Sequence, residues 1–103
     1  MSILEEVLEE ELERINRIRN NITNELNQLP SSYLSKKIIN GKEYYYEQKR
    51  EGDKVKSKYI NKIEVEPFAK KVERRQELEK KLNELDKSVK QIKKVIGKDK
   101  TNE

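Results

Sequence analysis

Near the start of the chain, apolar residues recur three or four positions apart: Leu4, Leu8, Leu12, Ile15, Ile18, Ile22, Leu26 and Leu29. That spacing puts them on one stripe and predicts a helix over residues 3–28. Ser2 with Glu5 fits a capping box at its start. Leu29-Pro30 ends it, because the residue before proline avoids the helical region. A second stripe runs Leu78, Leu82, Leu85, Val89, Ile92 and Ile96 in alternating steps of four and three, the period of a coiled-coil seam. Pro67 suits a first helical position, so this helix is expected over residues 67–96. Gly97 would be its C-terminal cap, and residues 98–103 a disordered tail. Phe68 and Val72 extend an apolar side toward Pro67, but Lys71 and Arg75 take the extrapolated seam positions, so the packing should change there.

Between the helices, residues 33–62 alternate in short runs broken at Asn40-Gly41 and Gly52-Asp53. Asn-Gly is the strongest short hairpin signal, since a type I′ turn needs positive φ at both central residues. A two-residue loop there sets Ile39 opposite Lys42, Lys37 opposite Tyr44 and Lys36 opposite Tyr45. For the second turn Gly52-Asp53 suits a type II′ loop, and Glu51-Gly52 is the alternative; either keeps the same residues on the same face. One face then carries Ile39, Tyr44, Tyr46, Val55 and Tyr59, and is expected to pack on the second helix near Phe68 and Val72. The other carries Lys36, Tyr45, Lys49, Lys54, Lys56 and Lys58, with Ile38 and Glu47. A three-residue second loop would flip the third strand; it is disfavoured because it would expose Val55 and Tyr59.

Composition narrows the architecture. Of 103 residues, 32% are hydrophobic and 43% charged, which allows one domain over 1–103 with a thin core. The resulting fold class is α+β: an antiparallel two-helix coiled-coil hairpin with a three-stranded antiparallel β-meander between the helices, in the order α-β-β-β-α. Charge agrees with the antiparallel sense. Glu5, Glu6, Glu9, Glu10, Glu11 and Glu13 crowd the start of the first helix, and Lys87, Lys90, Lys93, Lys94, Lys98 and Lys100 the end of the second. Such pairs contribute only ~0–1 kcal/mol each, so they choose orientation while the leucine seam supplies stability.

The chain has no Cys and no His. Disulfides, thiolate metal sites and the commonest general base are therefore excluded. Without His, no tyrosine is expected to act as a nucleophile of the recombinase type. Glu5, Glu9 and Glu13 share a helix side, but no concave polar site accompanies them, so they read as a solvated or lysine-paired face rather than a metal site. The three glycines are isolated, so no phosphate-cradling loop is present. Neither enzymatic activity nor a cofactor is expected, nor a membrane or small-molecule partner. No segment has the continuous apolar length of a membrane span. The start, Met-Ser-Ile-Leu-Glu-Glu, is the opposite of a signal peptide, and a cytoplasmic location is expected.

The net charge of +4 is concentrated in the meander. Residues 35–62 hold Lys36, Lys37, Lys42, Lys49, Arg50, Lys54, Lys56, Lys58 and Lys62 against Glu43, Glu47, Glu51 and Asp53. Lysines on alternate strand positions project one way and can follow phosphates, and Tyr45 among them can stack on a base. The expected function is nucleic-acid binding by Lys36, Tyr45, Lys49, Lys54, Lys56 and Lys58. The bland alternative is that lysines keep an open sheet face from pairing edge to edge. A protein-interaction module, either a coiled-coil homodimer or an inhibitor or adaptor of a nucleic-acid enzyme in the manner of anti-CRISPR proteins, is the other function class.

The meander and following helix, over about Ser35 to Arg75, resemble the arm-type DNA-binding domains of phage and transposon integrases in topology and charge. That resemblance implies a sheet inserted in the major groove. More closely, Gly41-Lys-Glu-Tyr-Tyr-Tyr, then Arg50-Glu-Gly-Asp-Lys-Val-Lys-Ser-Lys-Tyr59-Ile, then the Val72-Glu-Arg-Arg helix, is similar to a small bacterial domain that accompanies mobile elements. Its pattern is Gly-x-x-Tyr-Tyr-Tyr, a basic-Glu-Gly-Gly-Lys turn and a Lys/Arg-Tyr strand before a charged helix. The similarity covers about Leu29 to Leu85 and implies a setting rather than an activity. Some members carry a Cys-containing insertion ahead of the tyrosines. Here Asn40-Gly41 stands in its place, so a metal role does not carry over.

Overall fold

A computed structural model describes residues 2–101, with side chains through Gly97. The elements are α1 (Ile3–Leu26), β1 (Tyr33–Ile39), β2 (Lys42–Glu51), β3 (Lys54–Ile60) and α2 (Lys62–Thr101). The expected α+β architecture holds, in the order α-β-β-β-α, with an antiparallel sheet of strand order β1-β2-β3. The chain divides into two compact units. One joins α1 up to Glu25 with α2 from Leu78 onward, and the other is Leu26–Glu77.

In the helical unit the two predicted stripes form the core. Ile15 and Ile22 of α1 and Leu78, Leu85 and Val89 of α2 are buried. Arg19 of α1 pairs with Asp86 of α2 at 3.1 Å beside them. Ser2 caps the start of α1, where the Glu5 backbone N–H donates to the Ser2 hydroxyl at 3.2 Å, the first half of the expected capping box. At that end Leu4 of the stripe is exposed, as are Ile3 and Val7 beside it.

The expected bounds of the second helix require correction. α2 begins at Lys62, before Pro67, which lies inside it. The proline removes the N–H that would bond the Ile63 carbonyl; Ile63 is itself highly exposed, so water reaches that carbonyl. Gly97 is not a left-handed cap: among the described residues positive φ occurs at Asn40, Gly41 and Gly52, and the helix runs through Gly97 to Thr101. A helical glycine costs ~1 kcal/mol but does not stop a helix. Of the expected tail, Asn102 and Glu103 lie outside the described residues.

In the sheet-containing unit both turns take the expected forms. Asn40 (φ 52°) and Gly41 (φ 81°) give the type I′ turn. Glu51 pairs with Lys54, which makes Gly52-Asp53 the second loop, with positive φ at Gly52 (61°). A Cβ at Gly52 meets no atom within 4 Å, so substitution there is penalised by backbone conformation alone. Gly52→Ala is expected to lower stability by about 1–2 kcal/mol, read as a lower urea midpoint at unchanged m-value. Arg75, one of the residues interrupting the seam, donates to the Leu26 carbonyl at 3.4 Å, satisfying an orphan acceptor at the end of α1.

Candidate nucleic-acid interface

The β1–β2 register is the expected one: Ile39 opposite Lys42, Lys37 opposite Tyr44, Lys36 opposite Tyr45. On β3, Tyr46 faces Tyr59, Lys49 faces Lys56 and Arg50 faces Val55. Residues directly opposite share a face, so the two faces have the membership read from the sequence. Their roles are not those expected. Tyr59 and Val55 are each 53% exposed, and Ile39 and Tyr33 are also open. The tyrosine face therefore does not pack on the second helix. On the other face Ile60 at the end of β3 is buried, while Ile38 is exposed. Glu47, Lys58 and Ile60, with Tyr59 from the other face, border one groove with Pro67, Phe68 and Lys71 of α2. Buried Ser32 donates to Glu47 at 2.7 Å on the same side.

The lysine face is consequently a mixed surface. Lys36 pairs with Glu43 at 3.0 Å, and Lys56 with Glu51 at 2.9 Å. Tyr45, half-buried, donates its hydroxyl to Glu43 at 3.2 Å. The hydrogen bond from Lys36, then its charge, then the Tyr45 hydroxyl hold the Glu43 carboxyl below the usual carboxylate range. The same partner pushes the Lys36 ammonium up. Lys49, Lys54, Lys56 and Lys58 are exposed along β2 and β3, with Glu47 and Glu51 interleaved. Five lysines here are set against three glutamates.

The opposite face has fewer cations and, among the described residues, no carboxylate. Lys37, Lys42 and Arg50 lie on it with Ser35, Gln48 and Ser57. Its centre is aromatic. Tyr46 and Tyr59 meet edge to face at 6.0 Å, and Tyr44 lies tilted against Tyr59 at 6.5 Å. The Lys37 ammonium sits 4.9 Å from the Tyr46 ring centroid, a cation–π contact. Gln48 donates to Ser57 at 3.2 Å across the strands. The signal on the lysine side is Ile60, which is buried and directly precedes the turn into α2, whereas Ile38 on the same side is exposed.

A family model described as a domain of unknown function (DUF6788) matches residues 4–70, about two-thirds of the chain, including all three strands. No curated protein and no solved structure matches. Among the described residues, no helix is long and apolar enough to cross a membrane.

Proposed function

We propose that this chain, which belongs to the DUF6788 family, is a small non-enzymatic nucleic-acid-binding protein that uses its sheet as the binding element. The carrying observation is the concentration of exposed cations on the strands: Lys37, Lys42, Lys49, Arg50, Lys54 and Lys58 are all exposed. The ion pairs of Lys36 and Lys56 lie at the surface, where a pair is worth only ~0–1 kcal/mol, so a phosphate can replace the glutamate. A cytoplasmic, mobile-element or phage setting belongs to this reading, supported by the tyrosine-hairpin-helix pattern. An integrase-like sheet set into a duplex groove is one form of it.

Fluorescence polarisation of labelled duplex and single-stranded DNA and RNA, across a salt series, tests this reading. The expected result is binding at low salt whose log K falls linearly with log salt. Lys54→Glu with Lys56→Glu should weaken the duplex probe while moving stability by no more than the surface pair of Lys56 with Glu51 is worth, ~0–1 kcal/mol. Absence of binding to all probes at low salt rejects the reading.

One observation favours a second reading, a protein-interaction module. Ile3, Leu4 and Val7 are exposed at the start of α1, an apolar run that a homodimer or the target of an anti-CRISPR-like inhibitor would cover. Light scattering distinguishes the dimer. A pull-down from nuclease-treated lysate separates a protein partner from a nucleic-acid one.

A further inference from the structure

We infer that the tyrosine face is a stacking platform for a single, unpaired nucleic-acid strand. This rests on the nucleic-acid reading above and specifies its substrate and its face. A duplex hides the flat surfaces of its bases and offers phosphates and groove edges, for which lysines suffice. An unpaired strand offers base planes, and open aromatic rings are what take them.

The face supplies both halves of that recognition. Tyr59 on β3 is held by Tyr44 and Tyr46 through tilted and edge contacts, yet remains 53% exposed. Rings fixed by their neighbours and still open to solvent lose little conformational entropy when a base arrives. Tyr33 on β1 is a second open ring, 46% exposed. It lies two strands across and two residues along from Tyr59, about 12 Å at the usual strand spacing and rise, so each can take its own base. Lys37, Lys42 and Arg50 lie around the rings for the backbone, and no carboxylate on this face among the described residues repels a phosphate. Ser35, Gln48 and Ser57 add uncharged donors and acceptors for base edges.

The same features favour a nucleic-acid strand over a protein. Aliphatic surface on the face is limited to Ile39 and Val55, and Lys37 stands over the central Tyr46 ring, whereas lysine is depleted from the centres of protein interfaces. The lysine side fits a strand less well. Its one tyrosine is half-buried and bonded to Glu43, and glutamates alternate with its lysines.

Three labelled probes of about twelve nucleotides, within the usual single-strand site size, test this at one low salt concentration: oligothymidylate, an abasic strand with the same phosphates, and a duplex. Oligothymidylate should bind about a hundredfold more tightly than the abasic strand, about tenfold for each of the two stacked bases. Tyr59→Ala and Tyr33→Ala should each weaken oligothymidylate about tenfold and leave the abasic strand unchanged, while Tyr59→Phe retains binding. Should Tyr59→Ala disturb the ring cluster, Tyr33→Ala and the wild-type abasic comparison still decide. Equal binding of oligothymidylate and abasic strand, or a preference for the duplex, overturns the stacking platform and leaves the nucleic-acid reading standing. Failure of all three probes to bind overturns both.

Discussion

Replacing Ile15 by alanine is expected to lower stability by about 2–5 kcal/mol. Ile15 is only 2% exposed, the most deeply buried large side chain described. It belongs to a thin core whose other buried aliphatics in the helical unit are Ile22, Leu78, Leu85 and Val89. A seam of this kind has little surrounding mass to collapse into the vacated space, so the transfer and cavity costs add. The better helix propensity of alanine returns at most about 0.5 kcal/mol. For a chain of this size each kcal/mol moves the melting temperature by about 4–8 °C, so the midpoint by circular dichroism should fall by roughly 10–30 °C. The control is Ile3→Ala at the exposed start of the same helix, which should stay within about 0.5 kcal/mol of the parent. A fall at Ile15 no larger than at Ile3 would remove that residue from the core.

Period and turn chemistry made most of this fold readable. The stripes through Ile15, Ile22, Leu78, Leu85 and Val89 are the buried ones, and Asn40-Gly41 and Gly52-Asp53 set a register that holds pair by pair. Both are local signals: spacing decides a stripe, and positive φ decides a turn. Which face of the sheet the rest of the chain covers is not local. Three tyrosines looked like core by their size, but tyrosine is amphipathic and is content half-exposed. On the lysine side Ile60 is the strand residue that is buried, and the lysines near it keep their heads in water. The start of α2 follows from the same geometry. β3 ends on buried Ile60, and the chain turns at once into the helix at Lys62, so Pro67 falls inside. Of the expected site residues, the structure brings Lys49, Lys54, Lys56 and Lys58 together along β2 and β3. It ties Lys36 and Tyr45 to Glu43 instead.

Neutralising Lys37, Lys42 and Arg50 together as glutamines is expected to weaken a single-stranded probe by about a hundredfold at ~0.1 M salt. The size follows from counterion release. Each phosphate neutralised on a single strand contributes about 0.7 to the slope of log K against log salt. Losing three contacts should flatten that slope by about 2, and each unit is worth about tenfold between 1 M and 0.1 M. The matched variant replaces Lys49, Lys54 and Lys56 with glutamine, removing the same charge from the opposite face. Glu51 beside Lys56 already offsets part of the field there. A strand lying on the tyrosines should therefore lose much less affinity, and much less slope, from this second change. Removing Lys37 also ends its contact with Tyr46, worth ~0.5–1 kcal/mol at an exposed site. The first variant should consequently melt a few degrees lower while remaining folded at the binding temperature. Equal losses from the two variants would mean that phosphates are held diffusely by the sheet's whole charge, with neither face selected.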